Sequence, residues 1–164
     1  MASSPDSAAP ITAPAATPAL SPSPPHGFDI PAIRVVLLPR DTNAHGTIFG
    51  GIILSHIDIA GAVGAHRMGV TRVVTVAMKE VIFHEPVFVG DLISLYAWPT
   101  RIGKTSITLH VLVQAERAGN IVEEGLLHSI KVTEAEVTYV AVDEARKPIS
   151  IAHLQPRLAA LLGR

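Results

Sequence analysis

The sequence contains no cysteine, so neither a disulfide nor a thiol nucleophile can belong to its chemistry. Aromatic residues make up only 4% of it, against 48% hydrophobic residues, so the core must be built from aliphatic side chains. Neither sign of charge dominates. The 13 Lys and Arg against 14 Asp and Glu leave a net charge of −1, which lacks the basic excess of a nucleic-acid binder but still allows a local basic patch. Apolar runs of about 18 residues, the length of a helical membrane span, are missing. So are Lys and Arg before Arg34, which argues against a secretory or transit peptide and for a cytoplasmic protein. No G-x-S-x-G elbow, Walker loop, G-x-G-x-x-G fingerprint or H-E-x-x-H pair occurs. The histidines, among them His56, His66, His84, His110 and His128, have no metal-ligand spacing, so no metal is expected.

What is present divides into three parts. Of residues 1–25, 21 are Ala, Pro, Ser or Thr, a composition with too little apolar bulk to offset chain entropy. Residues 1–28 are therefore expected to be a disordered tail, followed by one domain over 29–152 and a tail or short helix over 153–164. Within the domain, AIRVVLL at 32–38 reads as a strand ended by Pro39, and 39–49 as a turn-rich loop. GGIILSHIDIAGAVGAHR, residues 50–67, is too long for a strand and apolar on several faces, which predicts a helix buried on most sides. β-rich stretches follow at 72–84, 91–101, 104–116 and 129–142. The third alternates Ile107, Leu109, Val111 and Val113, as an antiparallel strand with one covered face does. One strand, a long apolar helix and four more strands predict an α+β fold in which an antiparallel sheet wraps around the helix.

The chemistry is expected on that helix. Between Thr42 and His66 the only formal charge is Asp58, with Ile57 and Ile59 beside it. An ionised carboxylate in apolar surroundings is costly, and that cost is commonly met at functional sites. Gly51, Ser55, Asp58, Ala62 and Ala65 fall on one helical stripe on which every other member is small. A slot beside the acid could admit a thioester and a water, although the same stripe equally suits close packing. Gly50 and Gly51 would leave unobstructed N–H donors at the positive end of the helix dipole, either as an oxyanion site or as a tight loop-to-helix junction. Asn43 and His45 lie just before it. The Asn43 amide could orient a water or an acyl oxygen, or simply shape the turn.

The run LPRDTNAHGTIFGGIILSHIDIAGA, residues 38–62, resembles the signature of hotdog-fold acyl-CoA thioesterases of the bacterial broad-specificity and animal cytosolic types. VVTVAMKEVIFHEPVFVGD at 73–91, GKTSITLHVLV at 103–113 and EAEVTYVAVD at 134–143 extend the resemblance in the same order. The resemblance implies a hotdog fold paired strand to strand into a homodimer, assembling further into a hexamer as a trimer of dimers, with active sites at the dimer interface. It implies that Asp58 is the catalytic acid, that Asn43 is its companion amide reaching the other subunit's Asp58, and that Gly50 and Gly51 form the glycine pair. CoA phosphates would meet rim residues, for which Lys104, Thr105 and Ser106 with Arg101 or Arg67 are the candidates.

The expected reaction is hydrolysis of acyl-CoA to a free acid and CoA, without a cofactor. Asp58 would act as general base on water or as a nucleophile forming an anhydride, Gly50 and Gly51 would hold the oxyanion, and Asn43 would position the water, with His45 near the substrate. A phenylacetyl-CoA-type thioesterase and a non-catalytic acyl-CoA-binding protein are the alternatives.

Overall fold

The computed structural model describes residues 24–121 and 127–163, so most of the expected tail lies outside the described residues. Phe28, which composition assigned to that tail, is buried, and its N–H closes a turn onto the Pro25 carbonyl at 2.9 Å.

Five strands form one antiparallel sheet: β1 (Ile33–Val36), β2 (Val73–Phe83), β3 (Leu92–Ile102), β4 (Ser106–Ile121) and β5 (Leu127–Ala141). Their spatial order is β1-β3-β4-β5-β2, which leaves β1 and β2 as the edges. The expected alternation holds in β4, where Ile107, Leu109, Val111 and Val113 are fully buried. Opposite them β5 contributes Tyr139, Val137, Ala135 and Thr133, every second residue as the pleat requires. These side chains form a covered floor, and one helix, α1 (Gly50–Arg67), lies on it. A single long helix on one antiparallel sheet is the α+β hotdog arrangement that the resemblance implied.

α1 packs through Ile53, Ile57, Ala60, Gly61, Gly64 and Ala65, which recur at helical spacing. Its other face is open: Ser55, Ile59, His66 and Arg67 are exposed, Ile59 by 52%. The expectation of a helix buried on most sides is corrected here, because a single sheet can cover only one side of a helix. The far end of α1 is closed by a second helix, α2 (Gln155–Leu161), within the stretch expected as a tail or short helix. Arg157 donates to the Met68 and Arg67 carbonyls at 3.3 and 3.4 Å, supplying orphan acceptors of the last turn with a cation. No helix among the described residues is long and apolar enough to cross a membrane.

Gly64 shows why α1 tolerates internal glycines. A Cβ there would overlap a Leu109 methyl and meet the Ala97 Cβ at 3.0 Å. Gly64→Ala should gain about 1 kcal/mol of helix propensity. It should lose about 1–3 kcal/mol to overpacking, because fully buried Leu109 has no room to yield. The expected outcome is a net loss of stability, read as a lower urea midpoint at unchanged slope.

Candidate functional site

Asp58 stands in the middle of α1, half-buried, where the covered face of the helix gives way to the open one. The Thr75 hydroxyl donates to its Oδ1 at 2.7 Å. The Tyr139 hydroxyl donates to its main-chain carbonyl at 2.6 Å and lies 3.5 Å from Oδ1. Thr75 and Tyr139 are directly opposite each other across β2 and β5, so one cross-strand pair grips both ends of this residue. The register of β2 shifts between Thr75 and Ala77, an irregularity of the kind that re-aims side chains beside functional sites. No Lys, Arg or His pairs with Asp58 among the described residues, so its charge is not neutralised by a cation. Burial first, and the Asp58 carboxylate second, push the Tyr139 phenol above its ordinary pKa, so it stays a donor.

The small-residue stripe does not line an enclosed slot within one chain. Ser55 is exposed and turns its hydroxyl back onto the Ile52 carbonyl at 2.7 Å, while Ala65 is buried against the sheet. A cavity of about 340 Å³ lies instead at the start of α1, lined by Gly50, Ile53, Phe83, Pro86, Val87 and Val132 among others. Asp58 is not part of its wall.

Gly50 and Gly51 open α1. Neither Gly50 nor Gly51 donates its N–H to any acceptor among the described residues. The Phe49 ring lies over Gly51, where a Cβ would overlap it, and Phe83 approaches the Gly50 position at 3.5 Å. Seven residues separate Gly51 from Asp58, or about 10 Å along the axis. The two therefore cannot both touch one thioester carbonyl directly.

Asn43 and His45 sit in the turn before the helix. Asn43 Oδ1 accepts from the His45 and Thr47 main-chain N–H groups at 2.8 and 3.3 Å, and its Nδ2 donates to the Thr47 hydroxyl at 2.8 Å. Within one chain it is a turn-forming residue, with one amide hydrogen left to give. His45 is exposed and contributes its backbone to that turn.

The rim candidates separate into two groups. Arg67 is committed elsewhere: its guanidinium binds the Ile30 and Pro31 carbonyls at 3.0 Å each and anchors the chain before β1. Lys104 and Thr105 lie in the β3–β4 turn and Ser106 opens β4, with Arg101 exposed near the end of β3. Ser106 pairs with Val140, and the next pairs along are Ile107 with Tyr139 and Tyr139 with Thr75. The turn therefore lies at the same end of the sheet as Thr75.

Another polar group occupies the sheet face turned from α1. Glu134 accepts from Lys131 and meets His84 and His110 at 3.3 and 3.4 Å. Burial alone would raise the Glu134 pKa, but the bonds from Lys131 and His84 outweigh it and hold the carboxyl low. Burial lowers that of His110. Among the described residues no cluster of three or more His, Asp or Glu is placed to hold a metal ion.

Residues 45–121, which carry the helix start, Asp58 and Thr75, match the sequence profile described as the thioesterase superfamily. An uncharacterized acyl-CoA thioester hydrolase of Zymomonas mobilis is 41% identical over 74% of this chain and 77% of its own length. The acyl-CoA thioester hydrolase YciA of Escherichia coli is 40% identical over 71% and 86%. The chain belongs to the thioesterase superfamily.

Solved members share the hotdog fold of this thioesterase-superfamily chain. A hexameric hotdog fold thioesterase of Campylobacter jejuni superposes with a TM-score of 0.72 at 42% identity, over 82% of this chain and 99% of the other. An acyl-CoA hydrolase of Staphylococcus aureus, solved with butyryl coenzyme A and coenzyme A, superposes with a TM-score of 0.64 at 27% identity, over 72% and 68%. Alanine variants of that hydrolase at one aspartate, one asparagine and one threonine have been solved. The asparagine stands 15 positions before the aspartate and the threonine 17 after it. Asn43, Asp58 and Thr75 have the same spacing here. Thr75 and Tyr139 were not singled out in the sequence. A hydroxyl inside a strand is an ordinary surface feature until the sheet places it against the helix.

Proposed function

We propose that this chain hydrolyses acyl-CoA thioesters to a free carboxylic acid and CoA, with Asp58 as general base. The observation that carries the reading is an Asp58 carboxylate with no cationic partner among the described residues, held by Thr75, in a family member that keeps the spacing of three residues altered in the Staphylococcus aureus hydrolase. Asp58 takes a proton from water as the oxygen attacks the thioester carbonyl carbon. The oxyanion forms against the free N–H groups of Gly50 and Gly51 at the positive end of α1. Collapse of the tetrahedral intermediate breaks the C–S bond, and the departing thiolate receives the proton from Asp58. Such general-base assistance contributes about 10²–10⁴-fold.

The site is proposed to be shared between two chains. β2 is an 11-residue edge strand with exposed apolar side chains, Val76 by 56% and Phe83 by 50%. Such an edge invites pairing with a second copy. Asn43 and the glycine pair of one chain then serve Asp58 and Thr75 of the other, in a homodimer that assembles as a trimer of dimers. The hexameric state of the Campylobacter jejuni relative supports that assembly. The acyl group enters the cavity beside Gly50, and the turn Lys104–Ser106 with Arg101 receives the CoA phosphates. Arg67, held by main-chain carbonyls, is left out of that rim. Cytoplasmic residence is proposed with the activity.

The test is a panel of butyryl-, palmitoyl- and phenylacetyl-CoA followed with a thiol reagent. Turnover of the two aliphatic esters well above that of phenylacetyl-CoA is expected. Preference for the aromatic ester would replace this reading with the phenylacetyl-CoA type.

A further inference from the structure

The strongest feature outside the assigned machinery is the contact between the sheet and the main chain of Asp58. Tyr139 is 1% exposed, and its hydroxyl reaches α1. There it donates to the Asp58 carbonyl at 2.6 Å. In a regular helix the Asp58 carbonyl would accept from Ala62 alone, four residues on. The phenol thus sits across one rung of the helix ladder, at the residue whose side chain carries the chemistry. Room for it is provided by Gly61, where a Cβ would overlap the hydroxyl and stand 2.9 Å from two ring carbons.

From this geometry we infer that Tyr139 is a positioning residue for Asp58, fixing the main chain at that rung so that the carboxylate meets Thr75 and faces the attacking water. Thr75 fixes one carboxylate oxygen against β2. The second anchor, on the carbonyl, fixes the helix main chain at Asp58 against β5, so both ends of the residue are set by one sheet. Because Thr75 and Tyr139 are cross-strand partners, the two anchors move as one unit with the sheet. The inference rests on the hydrolytic reading above, since it assigns Tyr139 to the proper aiming of that base.

Tyr139→Phe removes one oxygen and keeps the ring in the core. Displacement of a reacting group by about 1 Å costs up to about a hundredfold in rate. The expected result is a fall of kcat by about tenfold to a hundredfold, with KM for butyryl-CoA unchanged within about twofold. The comparison variant is Ile107→Val, which trims the residue paired with Tyr139 on its other side and leaves the phenol in place. It should lower the melting temperature while keeping kcat. If Tyr139→Phe fails to assemble, fluorotyrosine incorporated into a Tyr96→Phe background alters only the donor strength of Tyr139, since the chain has two tyrosines. Its kcat should then differ from that of unfluorinated Tyr96→Phe. Retention of full kcat in Tyr139→Phe, or a loss matched by Ile107→Val at equal destabilisation, overturns the inference. So does fluorotyrosine without effect. Wild-type protein that releases no thiol at all would instead overturn the hydrolytic reading on which it rests.

Discussion

Replacing Asp58 with Asn should lower kcat for acyl-CoA hydrolysis by about 10²–10⁴-fold, the range that general-base assistance supplies. The substitution keeps the size and the Oδ1 acceptor, so the bond from Thr75 and the main-chain bond from Tyr139 both survive. What disappears is the ability to take a proton from water. Asp58 is half-buried at the margin of the core, and no cation depends on its charge among the described residues. Its removal should therefore leave the fold, the assembly and KM close to wild type. Circular dichroism, sizing and initial-rate kinetics on one preparation check all of these together. A variant that folds, assembles and turns over near the wild-type rate would remove Asp58 from the mechanism.

The second large effect is a recovery. Asn43→Ala and Asp58→Asn are each expected to be nearly inactive alone. When the two chains are co-expressed and mixed dimers form, one site of each mixed dimer should unite an intact Asn43 with an intact Asp58. Random pairing then restores about a quarter of wild-type activity, because a two-fold dimer carries two equivalent shared sites. If Asn43 instead served Asp58 of its own chain, every site in the mixture would carry one defect and no activity would return. Asn43 also shapes its own turn through three hydrogen bonds, so the recovery reports on the whole turn, with its glycine pair, serving Asp58 of the other chain.

The periodic parts of the fold could be read from the sequence. The alternation of Ile107, Leu109, Val111 and Val113 marked β4, and the uncharged run around Asp58 marked α1 with its bounds at Gly50 and Arg67. The lone carboxylate drew attention to Asp58 because a charge inside an apolar helix is costly and is kept where it serves a purpose. Less could be read where function depends on what lies across the fold. Thr75 and Tyr139 are separated from Asp58 by 17 and 81 positions, and neither type is unusual in a strand. Only the β2–β5 register, with its irregularity after Thr75, brings them under the same residue. The all-round apolar composition of α1 also hid which face is covered: within one chain the sheet leaves Ile59 exposed. Arg67 looked like a phosphate ligand by charge, and the structure commits it to two carbonyls.

The most direct measurement is release of free thiol from saturating butyryl-CoA by the wild-type protein, followed beside calorimetric binding of the same ester. Hydrolysis at Asp58 predicts steady multiple turnovers, with free acid and CoA appearing in equal amounts. Tight binding of the ester with no thiol above the uncatalysed background would contradict it and leave the chain a binder of acyl-CoA.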